Sequence, residues 1–203
     1  MQLANSMALE NPRGMQATQK VVAISVEDYL QDELLSQERH EYVGGAIYAM
    51  AGTSDAHNEI SLNLAVALRT HLRGKPCRAY MADVKLRLRI AEDDMVYYPD
   101  VMVTCDERDT HPYFKRFPQV LIEVLSPETE RTDRREKFLS YIQIESLQEY
   151  TLVAQDKMQV TIFRRASKWQ PEILERPQEV LNLPSLGFTL PLAAVYEEIR
   201  LQL

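Results

Sequence analysis

No apolar run in this 203-residue chain approaches the roughly 20 residues that a membrane-spanning helix needs, so no membrane partner is expected. Residues 1–20 hold no continuous apolar stretch either; the core of a secretory signal is missing there, and a flexible tail is expected. Cysteine is scarce: Cys77 and Cys105 alone make neither a disulfide framework nor a zinc-site spacing, and both are expected as free thiols in a reducing cytoplasm. A positive excess is also lacking. Lys and Arg number 23 against 30 Asp and Glu, a net charge of −7, which counts against holding nucleic acid by overall charge. No Gly-x-Ser-x-Gly elbow surrounds Ser126, which reads as a turn residue, so serine-hydrolase chemistry is not indicated.

What is present is the balance of an ordinary globular protein, 45% apolar and 26% charged, enough for a single domain over residues 21–203. The charge is uneven. Seven basic residues and one acid, Asp83, lie between Arg69 and Arg89, and Arg131, Arg134, Arg135 and Lys137 form a second basic group. These read either as solvated surface or as a local face for a polyanion.

Ser25 can cap a helix over 26–35, with Glu27 and Asp28 in its first turn. Gly44-Gly45 predicts an N-terminal hairpin over 41–50. Ser54 can cap a longer helix to about residue 72, with Ile60, Leu64 and Leu68 on one face. Residues 84–90 alternate, which predicts a strand whose Lys85, Arg87 and Arg89 make a wet, basic face. Residues 95–105 and 120–125 are nearly continuous apolar runs, as central strands covered on both faces should be. A helix over 133–144 follows, started by an Asp133/Glu136 capping box, then strands near 150–154, 159–164 and 168–174, and a weakly helical end over 192–203. The sum is an α/β fold with a mixed sheet.

The informative residues are charges in apolar surroundings. Asp100 is the only charge in 95–105, and Glu123 the only one in 120–125. A buried ionised carboxylate is unfavourable unless it is paired or holds a metal, and two on adjacent strands repel. A divalent cation between them resolves both conflicts. Taken singly, each carboxylate reads equally as an arginine partner or a strand-end residue. Pro99 cannot donate to a sheet ladder and marks a bulge or break that re-aims Asp100. Lys137 shares a helical face with Tyr141 and Ile144, which turns it inward, though a snorkelling lysine has the same pattern. Together these residues suit Mg²⁺ or Mn²⁺ and phosphoryl chemistry.

At these positions the sequence resembles the PD-(D/E)XK nuclease superfamily, and within it the Uma-type family of restriction-endonuclease-like proteins. The residues that carry the resemblance are Glu41-Tyr-Val-Gly-Gly, Met50-Ala-Gly, His57, Tyr98-Pro-Asp-Val, Glu123-Val-Leu-Ser-Pro-Glu-Thr, Asp133-Arg-Arg-Glu-Lys-Phe, Tyr141 and Leu147-Gln-Glu-Tyr. The resemblance implies a restriction-endonuclease-like mixed sheet flanked by helices. It implies Asp100, Glu123 and Lys137 as catalytic residues, with metal held by Asp100, Glu123 and the Val124 carbonyl. Glu41 and His57 become accessory residues; the bland alternatives are a hairpin carboxylate and a packed histidine. The superfamily pattern places its lysine two residues after the glutamate, where this chain has Leu125, so Lys137 on the next helix stands in for it.

The expected activity is Mg²⁺-dependent hydrolysis of nucleic acid, with double-stranded DNA as substrate, 5′-phosphate products and a homodimer compatible with that task. Lys85, Arg87, Arg89 and Arg134 are the expected backbone contacts. Two alternatives stand beside this expectation: a nucleic-acid- or partner-binding module with little catalysis, favoured by the net charge and the displaced lysine, and a hydrolase of a small phosphate compound.

Overall fold

The computed structural model describes residues 24–50, 52–127 and 132–201; the tail expected over 1–20, and Arg131, lie outside them. Helix α1 (Val26–Leu35) starts where Ser25 Oγ accepts the Asp28 N–H at 3.1 Å. The hairpin forms as β1 (His40–Val43) and β2 (Ala46–Ala49). Both turn residues, Gly44 and Gly45, have positive φ (55° and 95°), which a two-residue turn matching strand twist requires. Helix α2 (Asp55–His71) is capped by Ser54, whose Oγ accepts the His57 N–H at 3.1 Å.

The next strands are β3 (Arg78–Met81), β4 (Lys85–Ile90), β5 (Asp93–Tyr97), β6 (Val101–Thr104), β7 (Phe114–Lys115) and β8 (Pro118–Leu125). The single strand expected over 95–105 is two. Pro99 ends β5, and the chain leaves one sheet and enters another at Asp100. The wet basic face expected on β4 is also corrected: Lys85 is buried, and only Arg89 among the three basic residues is exposed. β4 lies between two strands, and Lys85 turns its ammonium over the Tyr98 ring, 5.1 Å from the centroid.

The helix expected over 133–144 ends at Tyr141. Its first part, Thr132–Lys137, is wound more widely as a π-helix, and α3 (Phe138–Tyr141) continues it. Asp133 is not an exposed cap but is buried, turned inward with Lys137. Strands β9 (Glu149–Ala154), β10 (Val160–Arg164) and β11 (Pro171–Leu174) follow, then an unexpected hairpin of β12 (Val180–Leu183) and β13 (Phe188–Pro191), and α4 (Leu192–Val195), shorter than the helical end expected over 192–203.

The strands make a five-stranded sheet, β2-β1-β5-β4-β7, and a mixed six-stranded sheet, β11-β10-β9-β8-β6-β3. β8 and β9 are parallel, which requires the helical crossover at 132–141. Alternation along β8 divides the core. Val120, Ile122 and Val124 face Ile60, Leu64 and Leu68 of α2. Leu121 and Leu125 face Tyr141, Tyr150 and the five-stranded sheet's Leu86 and Tyr97. Glu123 points to that second side, into an otherwise apolar layer.

Cys77 and Cys105 are not free thiols; they form a disulfide. The reason is register: β3 pairs antiparallel with β6, Arg78 opposite Thr104, so the preceding and following cysteines meet. The bridge closes a loop with a sequence separation of 28. Loop-closure entropy for that length predicts that the Cys77→Ser, Cys105→Ser double variant loses roughly 3–4 kcal/mol relative to the oxidised protein. Urea titration should show that loss, and adding a dithiol should reproduce it in the wild type.

Candidate active site

Asp100 and Glu123 end up side by side because Val101 lies opposite Ile122 in the β6–β8 ladder, so the preceding and following residues fall opposite each other. Directly opposed residues share a face. The Asp100 N–H donates to Glu123 Oε2 at 3.2 Å, and the Val124 N–H donates to Asp100 Oδ2 at 2.7 Å. The break at Pro99 thus frees the Asp100 amide and carboxylate to meet β8.

Lys137 reaches the same place from the crossover. Its Nζ lies 2.9 Å from Glu41 Oε1, 3.2 Å from Asp133 Oδ1 and 3.4 Å from Glu123 Oε1. Three carboxylates hold one ammonium. Burial works against the Lys137 charge, but Glu123, Glu41 and Asp133 outweigh it and hold the lysine well above its ordinary range. Glu123 is raised as well, which for a carboxyl favours the neutral form. Burial raises it well above the usual carboxylate range, Lys137 opposes that, and Asp133, Asp100 and Glu41 add to it. Tyr141 donates its hydroxyl to Glu123 Oε1 at 2.9 Å, and burial holds that phenol protonated.

His57, in the first turn of α2, places Nε2 3.3 Å from Asp100 Oδ2. Burial disfavours its charged form, yet the hydrogen bond and charge of Asp100 raise it above the ordinary histidine range. Glu41 additionally accepts the Tyr98 N–H at 3.4 Å.

Glu41, His57, Asp100, Glu123, Asp133 and Lys137 line one cavity of about 600 Å³, between the hairpin, the start of α2 and the crossover, with Tyr141 behind Glu123. The structure therefore brings together Asp100, Glu123, Val124, Lys137, Glu41 and His57. It does not bring the expected backbone-contact residues of β4 to the cavity. Arg87 pairs with Glu27 at 2.8 Å and Asp94 at 3.3 Å, and Arg89 with Glu92 at 3.2 Å. Arg134 has a partner of its own, and its side chain does not line the cavity among the described residues. Sequence reasoning missed two members, Asp133 and Tyr141. Their i, i+4 spacing about Lys137 was the available signal.

The donor set fits a hard divalent cation. Glu41, Asp100, Glu123 and Asp133 face one lysine and one histidine, and Asp133 Oδ1 is buried without a well-formed hydrogen bond. Carboxylate and carbonyl oxygens select Mg²⁺ or Mn²⁺. Among the described residues no group of three or more acidic, histidine or cysteine side chains converges as a metal site.

Similarity to known proteins agrees with this architecture. An uncharacterized protein of Synechocystis sp. (strain PCC 6803) is 36% identical over 175 residues, 85% of this chain and 91% of that one. A second uncharacterized protein of the same organism is 34% identical over 142 residues, 68% of this chain and 78% of its own length. A crystal structure titled as a putative nuclease belonging to DUF820, from Anabaena variabilis, superposes with a TM-score of 0.66 at 19% identity. That match covers 81% of this chain and 96% of the other, and shows a shared restriction-endonuclease-like fold. Residues 26–193 match the model of the Uma2 family, described as "Putative restriction endonuclease", and the chain belongs to that family.

Proposed function

We propose that this protein hydrolyses phosphodiester bonds in nucleic acid, with DNA as the polymer, at the Asp100–Glu123–Lys137 cluster. The observation that carries the reading is the pairing of Asp100 with Glu123 across β6 and β8, in a cavity whose negative charge exceeds what Lys137 and His57 balance. A divalent cation held by Asp100, Glu123 and the Val124 carbonyl would supply Lewis-acid polarisation of a phosphate oxygen and of water. Lys137 stays an ammonium under three carboxylates, so it is not a general base. It orients the attacking water and offsets charge that develops on phosphorus-bound oxygen. Water oxygen, giving up a proton to solvent, forms the new bond to phosphorus as the bond to the deoxyribose 3′-oxygen breaks, and that oxygen takes a proton from solvent. Tyr141 and Asp133 hold Glu123 and Lys137 in place, and Glu41 fixes the lysine from the hairpin side.

A labelled-oligonucleotide assay tests the reading. Cleavage should require Mg²⁺ or Mn²⁺, stop on chelation, and fall by about a hundredfold or more in Glu123→Gln. Undiminished cleavage by Glu123→Gln, or in chelator, removes the proposal. A second reading, a binding module with little catalysis, is favoured by one observation: Asp100 Oδ2 already faces both the Val124 N–H and His57. Metal-independent binding without turnover would select it.

A further inference from the structure

The cavity differs from what a paired duplex needs, in depth, in charge and in what stands at its mouth. Part of the floor is recessed: Glu123 is 2% exposed and Lys137 5%, while the Asp100 side chain is 22% exposed toward the opening. A duplex carries its phosphates on the outside of a broad rod and reaches a recessed floor less readily than a strand whose bases can splay. A single strand can enter.

Charge points the same way. Among the described residues lining the cavity, Lys137 is the only lysine or arginine, against Glu41, Asp100, Glu123, Asp133 and Glu136. Some nearby arginines pair with the chain's own acids, while Arg135 on the crossover is exposed. Arg39 pairs with Asp83 at 3.0 Å, Arg87 with Glu27 and Asp94, and Arg89 with Glu92. The cavity lining itself therefore supplies few of the phosphate contacts on which duplex affinity is built. Stacking of a base on an aromatic ring needs no such charge and tolerates any sequence.

The mouth offers that ring. Tyr48 on β2 lies directly opposite Glu41 in the hairpin register, so both side chains are on the cavity face. Glu41 reaches down to Lys137, while Tyr48 is 57% exposed at the rim. β2 is the outermost strand of its sheet, so the ring is open to an incoming chain.

We propose that the substrate of this site is a single strand, or a strand splayed from its partner, with a base stacked on Tyr48 and its phosphate lowered to Asp100 and Glu123. The inference rests on the nuclease reading above for its cleavage step, and departs from the double-stranded substrate that the sequence resemblance implies.

Two readouts test it. The first is binding, in the cleavage-impaired Asp100→Asn protein, of a fluorescein-labelled 20-nucleotide strand and of its blunt duplex at one salt concentration. The strand should bind at least about tenfold tighter. Tyr48→Ala in that background should weaken strand binding about 5- to 100-fold, and Tyr48→Trp should retain it. The second is cleavage of a forked oligonucleotide by the wild type with Mg²⁺ or Mn²⁺, where cuts should fall in the unpaired arms. Equal binding and cutting of the blunt duplex, or strand binding indifferent to Tyr48→Ala, overturns the inference. Strand binding through Tyr48 with no cleavage of any oligonucleotide supports the stacking surface and instead removes the nuclease reading.

Discussion

Replacing Lys137 by methionine is expected to lower folding stability by about 3–5 kcal/mol and to abolish cleavage. The reason is arithmetic of charge in a dry place. Methionine fills most of the lysine's volume, so the packing against Tyr97 survives, but the ammonium 5.6 Å from that ring is gone. Glu123, Asp133 and Glu41 then confront one another with no cation of the chain's own between them. Removing one partner of a buried ion pair is far more damaging than replacing both, because the other charge is left stranded. Urea denaturation in chelator should show the loss, and a saturating divalent ion should recover part of it. A variant within about 1 kcal/mol of the wild type in chelator would show that Lys137 does not hold the cluster together.

Asp100→Asn is expected to leave the fold intact and reduce cleavage by two to four orders of magnitude, the share that Lewis-acid stabilisation of several kcal/mol represents. The asparagine carbonyl can still accept the Val124 N–H that Asp100 Oδ2 accepts at 2.7 Å, so the β6–β8 contact persists. What disappears is the negative charge. His57 reports that loss independently of activity. With Asp100 present its ring is held above the ordinary range, by that carboxylate and against its own burial. With asparagine there, burial is less opposed and the His57 titration moves to lower pH, which histidine proton resonances will show. Cleavage unaffected by the substitution would remove Asp100 from the site.

Much of this site was legible because the charges were anomalous. Asp100 and Glu123 each interrupt an apolar run, and a run that is apolar on both sides leaves a carboxylate no solvent. Helical spacing turned Lys137 toward them. The family signature came from the same stretches, and the α/β fold with its flanking helices followed from capped helices and apolar strands. Other features are tertiary in origin. Nothing local to Tyr98-Pro99-Asp100 says that β5 and β6 join different sheets; the broken ladder is visible, its destination is not. Lys85 has the alternation of a wet face, but its ammonium is covered by the Tyr98 ring, just past the neighbouring strand β5. Cys77 and Cys105 are bridged only because the β3–β6 register sets them opposite, which pairing alone reveals. Asp133 looks like an exposed helix cap until the crossover turns it inward.

The claim on which the rest depends is that a divalent cation sits between Asp100 and Glu123. Crystals grown with Mn²⁺ and measured at a wavelength sensitive to that metal test it most directly. The account predicts an anomalous peak about 2.0–2.4 Å from an oxygen of each carboxylate, with Lys137 still beside Glu123, and no peak there in Asp100→Asn crystals. Well-ordered Asp100 and Glu123 at saturating Mn²⁺ with no peak between them, or a peak that persists unchanged in Asp100→Asn, would contradict it.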